Sequence, residues 1–168
     1  MIGPVGIYRG NELMPDSISR AQISNELYDA LPDEARLQLE GLKTHRRVAA
    51  GTLLIERGVS PESVIFVESG KVEITVPGDD KSLHLAMAGP GKVFGLRAVV
   101  ADGPPEITVK CLEECGIAEV SRDQFLDVVR DNPKAYVAIA KVLSSDLRMA
   151  ENLRRRLRAR SNREHISG

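Results

Sequence analysis

Tryptophan is absent from this chain, and aromatic residues make up only 4% of it. A groove that stacks successive bases of a single strand needs several such rings, so that partner is disfavoured. Cysteine occurs twice, as Cys111 and Cys115. Two thiols cannot staple a small secreted fold, and an iron–sulfur cluster takes about four. Two ordinary reduced thiols are expected. Histidine is equally sparse: His45, His84 and His165 lie far apart, and no His-x-His pair offers a metal-ligand spacing. His84 alternates with Leu83 and Leu85 and reads as a strand residue; a haem role would rest on it alone. No Gly-x-Ser-x-Gly elbow, Walker loop or dinucleotide fingerprint occurs. Glu113 and Glu114 stand beside a turn without an evident electrophilic or metal partner. No enzyme, metal or cofactor is therefore expected. No apolar run is long enough to span a bilayer, and the segment MIGPVGIYRGNELMPDS lacks the basic head and apolar stretch of a signal peptide. The expectation is a soluble, cytoplasmic protein with no membrane partner.

What is there suits one domain with appended segments. The chain has 168 residues, of which 42% are hydrophobic and 28% charged, with a formal net charge of -1. Residues 1–22 carry Gly3, Pro4, Gly6, Gly10 and Pro15 and read as an irregular arm. Ser24 to Ala30 suits a short helix. Pro32, Asp33 and Glu34 suit the first turn of another, with Ala35, Leu39 and Leu42 as its buried stripe.

Between Arg47 and Ser121 the pattern becomes short β-branched runs punctuated by Gly and Pro. Strands are predicted at Thr52–Glu56, Val64–Glu68, Val72–Val76, Leu83–Ala88, Val93–Phe94, Ile107–Leu112 and Ile117–Val120. Short strands spaced about ten residues apart argue for a sandwich, barrel or roll. Ser121-x-x-Gln124 then has the form of a capping box, followed by the apolar stripe Phe125, Val128 and Val129. Asn132-Pro133 ends that helix and starts another, with Asn as cap and Pro in first position. The new helix runs to about Arg160, roughly 40 Å at 1.5 Å per residue. Its stripe of Ile139, Leu143, Leu147, Ala150, Leu153 and Leu157 calls for a partner helix, so a homodimer is expected. Arg154, Arg155, Arg156, Arg158 and Arg160 surround its last turns and read foremost as cations suited to a helix C-terminus, with phosphate contact as the alternative.

The order of short helix, roll, short helix, Asn-Pro and long helix resembles the cyclic-nucleotide-binding domain family. So do GTLLIERG from Gly51, VIFVESGKVEI from Val64 and GPGKVFG from Gly89. The layout is similar to the sensor half of catabolite-activator and fumarate-nitrate-reductase type regulators. That half continues, in such regulators, into a DNA-reading helix-turn-helix, whereas only SNREHISG follows Arg160 here. Sequence-specific DNA binding by this chain is thus not expected. The resemblance implies a phosphate cassette opening with Phe-Gly-Glu and closing on Arg-Ser/Thr-Ala-Thr. Here the opening is Phe94-Gly95-Leu96-Arg97 and the closing is Pro105-Glu106-Ile107-Thr108. Leu96 replaces the ribose-binding Glu, Pro105 the phosphate-binding Arg, and Glu106 a hydroxyl. One charge-assisted hydrogen bond is worth about 1.5–3 kcal/mol, and a like charge in a pocket costs several more. Binding of cyclic AMP or cyclic GMP in the usual way is therefore not expected.

Ile74, Leu85, Asp146 and Ala150 are expected as pocket wall. Asp146, Glu106 and the adjacent Glu151 would form an acidic rim opposite Arg97, suited to a cationic or zwitterionic ligand; a filled roll without ligand is the plainer alternative. The expected fold is α+β: a cupin-like β-roll or jelly-roll of about eight short strands. N-terminal helices and a long C-terminal dimerisation helix flank it. The division is arm 1–22, roll with flanking helices 23–132, and long helix with tail 133–168. The function expected is a non-catalytic regulatory sensor. A ligand-free dimerisation or protein-interaction module is the alternative, and a cupin-like enzyme a weaker one. The ligand and any protein partner stay unnamed.

Overall fold

A computed structural model describes residues 25–77 and 82–166. The arm expected over 1–22 lies outside them. The first described feature is smaller than the helix expected from Ser24. Only a 3-10 turn, Tyr28–Ala30, forms. Buried Asn25 sets it, because its side-chain oxygen accepts from the amides of Leu27 and Tyr28, both at 3.0 Å. Helix α1 spans Asp33–Leu42 and starts one residue later than expected, because Pro32 is its cap residue rather than part of its first turn. Ala35 and Leu39 are buried as its spacing requires, and Leu42 packs against the same core.

Eight strands follow in two antiparallel sheets. They are β1 Thr44–Val48, β2 Leu53–Ile55, β3 Ser63–Ser69, β4 Val72–Pro77, β5 Ser82–Ala88, β6 Val93–Phe94, β7 Thr108–Cys111 and β8 Cys115–Ser121. One sheet has the order β1-β8-β3-β6 and the other β2-β7-β4-β5. Helix α2, Leu96–Ala101, interrupts the strands after β6. Helices α3, Arg122–Asp131, and α4, Ala135–Ile166, are the last of the described elements.

The apolar run Val64–Val67 shows why the layers assemble. Alternate side chains of a strand point to opposite faces, and both faces of β3 are buried. Ile65 and Val67 join Val48, Ile55, Val72, Ile74, Phe94, Val109 and Ile117 in the interior of the roll. Val64 and Phe66 face the other way, into a helical layer with Leu39, Leu96, Val99, Phe125, Val129, Ala138 and Val142. At the edge of that layer Lys43 is almost fully buried by its side chain, with its ammonium 4.7 Å from the Tyr28 ring centroid and 4.4 Å from that of Phe66. Glu40 pairs with that ammonium and accepts from the Tyr28 hydroxyl, so the buried charge is matched.

Three expectations are corrected. Strand β1 was not foreseen, because Thr44 to Arg47 are all exposed and only Val48 is buried. Asn132 does not cap the long helix. Its side-chain amide donates to the Val128 carbonyl at 2.8 Å and to Gln38 Oε1 at 2.9 Å, which closes α3 and ties it to α1. Pro133 and Lys134 form a turn, and α4 begins at Ala135. The stripe of α4 does not project from the domain along its whole length. Ile139 is buried in the chain's own helical layer and Leu143 packs against it. Leu147 is 61% exposed and Ala150 half-buried, while the side chains of Leu153 and Leu157 lie outside the described residues. Ser121 caps α3 as expected, its hydroxyl accepting from the Gln124 amide at 3.3 Å, while the Gln124 side-chain oxygen accepts from that hydroxyl at 3.2 Å, so the reciprocal half of the box is replaced by a side-chain pair.

Candidate functional site

A cavity of about 680 Å³ opens where the β2–β3 loop meets the segment between α2 and β7. Arg57, Gly58, Arg97, Ala101, Gly103, Pro104, Pro105 and Glu106 line it. Backbone geometry builds both walls. The Gly58 amide, at a φ of 82°, donates to the Pro105 carbonyl at 3.0 Å, and the Arg57 amide donates to the Thr108 hydroxyl at 3.2 Å. On the other side Gly95 has a φ of 91°, and a Cβ there would meet the Ser63 carbonyl oxygen at 2.9 Å. Only glycine fits that entry into α2. The exit from α2 passes through Asp102, which holds a φ of 55° without being glycine and pairs with Arg122 of α3.

Of the residues expected in the cassette, Arg97, Pro105 and Glu106 line the cavity. Leu96 does not: it is buried in the helical layer, so an apolar anchor stands where the resemblance implies a ribose ligand. Phe94 and Ile74 are buried in the roll interior, Ile107 packs against it, and Thr108 serves the loop contact just described. The side chain of Leu85 lies outside the described residues. Asp146 and Ala150 are not among the lining residues, and the acidic rim is not assembled. Asp146 instead meets Lys92 Nζ at 2.5 Å.

The residue that sequence reasoning missed is Arg57. Its signal was local: an Arg-Gly pair leaving a strand. Placing it beside Pro105 needed the tertiary fold. Among the described residues, no carboxylate lies within ion-pair distance of Arg57 or Arg97. The cavity therefore presents two guanidinium groups and one carboxylate, Glu106, to solvent.

A second polar cluster joins the roll to α4. Lys92 Nζ contacts Asp146 on α4 and, at 3.3 Å, Glu26. Glu26 also accepts from the Val93 amide at 2.7 Å, and its own amide donates to the Gly91 carbonyl. Burial holds the Glu26 carboxyl above the usual carboxylate range, against the opposing pull of the Val93 amide and Lys92.

The remaining reactive groups are quiet. Cys111 and Cys115 are free thiols in the roll interior, and burial, with a hydrogen bond to Cys115, pushes Cys111 up to about 12. His45 hydrogen-bonds Glu68 at 2.8 Å, which raises its pKa. The side chains of His84 and His165 lie outside the described residues. Among the described residues no group of His, Cys, Asp or Glu is arranged to hold a metal ion, and no helix is long and apolar enough to cross a membrane.

Known proteins share this architecture. The structure of the catabolite activator protein of Thermus thermophilus superposes with a TM-score of 0.68 at 22% identity, covering 79% of this chain and 63% of that one. The N-terminal domain of a transcriptional regulator from Streptomyces coelicolor A3(2) superposes with a TM-score of 0.61 at 22% identity, covering 79% of this chain and 93% of that one. By sequence, the chain is 27% identical over 127 residues to mouse patatin-like phospholipase domain-containing protein 7, which is 74% of this chain but 9% of that protein. It is 25% identical over 123 residues to the cyclic AMP receptor protein of Thermus thermophilus, 71% of this chain and 56% of the relative. The chain thus spans only a small part of the phospholipase and just over half of the receptor. Residues 45–132, the eight strands with α2 and α3, match the family model of the cyclic nucleotide-binding domain. That match covers more than half of the chain, and the roll around it has the family's fold: the chain belongs to the cyclic nucleotide-binding domain family.

Proposed function

We propose that this chain is a non-catalytic regulatory domain that does not hold cyclic AMP or cyclic GMP in the usual way, and that its cavity takes a small anionic or zwitterionic molecule instead. The observation that carries this reading is the lining. Leu96 is turned into the core, Pro105 and Glu106 occupy the places where the resemblance implies a phosphate-binding cation and a hydroxyl, and Arg57 and Arg97 supply the positive charge. A guanidinium presents a rigid fork that matches a carboxylate or phosphate, and Glu106 would meet the cationic end of a zwitterion. The regulators among its relatives support a signalling role, and the exposed part of the α4 stripe supports a homodimer as the unit that passes the signal on.

Isothermal calorimetry tests the first half: no heat is expected with either cyclic nucleotide at micromolar concentrations, and a micromolar Kd for one of them overturns the reading. A thermal-shift panel of small phosphates, carboxylates and amino acids tests the second. A ligand at about 100 times its Kd adds about 2.7 kcal/mol and raises Tm by several degrees. The shift should disappear in R57Q/R97Q. A ligand-free interaction module is the second reading, favoured by the apolar filling of the roll around Phe94 and Ile74. A panel without a single hit would favour it. Solution mass at micromolar concentration tests the dimer, which a strict monomer would refute.

A further inference from the structure

We propose that the arginine-rich end of α4 is a sequence-independent contact surface for the phosphate backbone of a duplex nucleic acid. From residue 154 to residue 163 the helix carries six arginines, Arg154, Arg155, Arg156, Arg158, Arg160 and Arg163, and no acidic residue. All six are exposed.

Single arginines without a carboxylate partner occur at Arg57, Arg97 and Arg148, but only this segment gathers them into a run among the described residues. Elsewhere on the surface, Arg36, Arg46, Arg47, Arg122 and Arg130 each face a carboxylate. Arg154, Arg155, Arg156, Arg158 and Arg160 have no such partner among the described residues. Favourable interaction with the helix dipole does not account for them, because that effect fades within the last turn and α4 continues to Ile166. Like charges packed this closely repel one another, and an external polyanion removes the repulsion.

Geometry selects the polyanion. Ten helical residues rise roughly 15 Å, so these arginines give about one charge per 2.5 Å, close to the one per 1.7 Å of a duplex axis. At roughly 100° per residue they cover about two-thirds of the circumference, with cations on opposite faces, and leave one sector to Leu153, Leu157, Ser161 and Glu164. A membrane surface engages one face of a helix and needs an apolar face beside the cations. Here the arginine-free sector alternates Leu153 and Leu157 with Ser161 and Glu164, so no continuous apolar face lies beside the cations. A duplex groove about 12 Å wide places phosphates on both sides of an inserted helix and can use cations on opposite faces. The rest of the chain carries net negative charge, which favours approach by this end alone.

Fluorescence anisotropy of the full chain with a short labelled duplex of arbitrary sequence tests the proposal. Binding is expected at low salt. With about four phosphates neutralised, affinity should fall roughly a hundredfold between about 50 and 200 mM salt. R154Q/R155Q/R156Q/R158Q should lose binding while keeping the helical circular dichroism and solution mass of the parent. Three results would overturn the proposal: no binding at 50 mM salt, equal binding by the folded variant, or displacement of the duplex by anionic phospholipid vesicles at lower charge concentration.

Discussion

Replacing Lys92 by methionine isolates the bond between the roll and α4. Methionine keeps the length of the side chain and removes its charge. The lysine side chain is 15% exposed, and its partners Glu26 and Asp146 are 26% and 38% exposed. A pair of unit charges at about 4 Å interacts by about 4 kcal/mol at an effective dielectric constant of about 20. Most of that is offset by desolvation and by ordering a long side chain. Exposed pairs net about 0–1 kcal/mol, whereas breaking a buried one costs about 3–5. Lys92 lies between these limits, and solvent screens the Asp146 share. We expect a loss of about 2 kcal/mol, which in urea corresponds to a midpoint lower by about 1 M for a slope near 2 kcal/mol/M. Asp146→Asn should cost less, because Lys92 keeps Glu26. The two substitutions should couple by more than about 0.5 kcal/mol in a double-mutant cycle.

Acidity gives an independent check of the same cluster. The Glu26 carboxyl is already raised in the folded chain, so its contribution to stability is fully present below its ordinary value of 4.5 and is lost as pH rises through the raised value. Without Lys92 it rises further, and the gap between parent and variant should narrow as the solution is acidified from neutrality. Urea titrations followed by circular dichroism at several pH values provide both measurements. An unchanged midpoint for Lys92→Met, or strict additivity with Asp146→Asn, would refute the reasoning.

Gly70→Ala should be severe. A Cβ there would meet Cys115 Sγ at 2.6 Å and the Glu114 carbonyl oxygen at 2.7 Å, at a φ of 91°. Left-handed backbone and overpacking together should cost about 3 kcal/mol, or roughly 10 °C in Tm, while Gly41→Ala on α1, with open space around it, should gain about half a kcal/mol. His45, raised by its hydrogen bond to Glu68, contributes stability fully present below its ordinary value of 6.5 and lost as pH rises through the raised value. Its side chain is more than half exposed, so the effect should be a few tenths of a kcal/mol, visible as an NMR titration shift and absent in His45→Gln. Cys111, buried and pushed up to about 12, should react with a thiol reagent at pH 8 only when denaturant is added. Rapid labelling of the folded chain would contradict that.

What was legible in the sequence follows burial. Strands β3, β4, β6 and β8 carry apolar residues because their side chains fill an interior, and each was found to within a residue or two. Strand β1 was not, since Thr44, His45, Arg46 and Arg47 all face solvent. It is held by its ladder to β8 and by ion pairs of Arg46 with Glu119 and Arg47 with Glu114, none of which is local in sequence. Helix α2 has six residues, five apolar and one arginine, too few for periodicity to separate helix from strand. In the candidate site, the altered cassette could be read directly. The position of Asp146 could not, because Lys92 captures it across more than fifty residues. Arg57 was missed for the same reason.

The charged strand β1 has a bearing on how copies of the molecule meet. Any sheet ends in unsatisfied amides and carbonyls that invite another strand. Here one outer strand bristles with two arginines and a histidine, while β6 and β2 have only two and three residues. Of the four rims, β5 is the longest and has no arginine or lysine in its sequence, only His84. Crowded solutions of this protein should therefore resist growth by strand stacking at three borders, and engineering aimed at solubility should begin at the fourth.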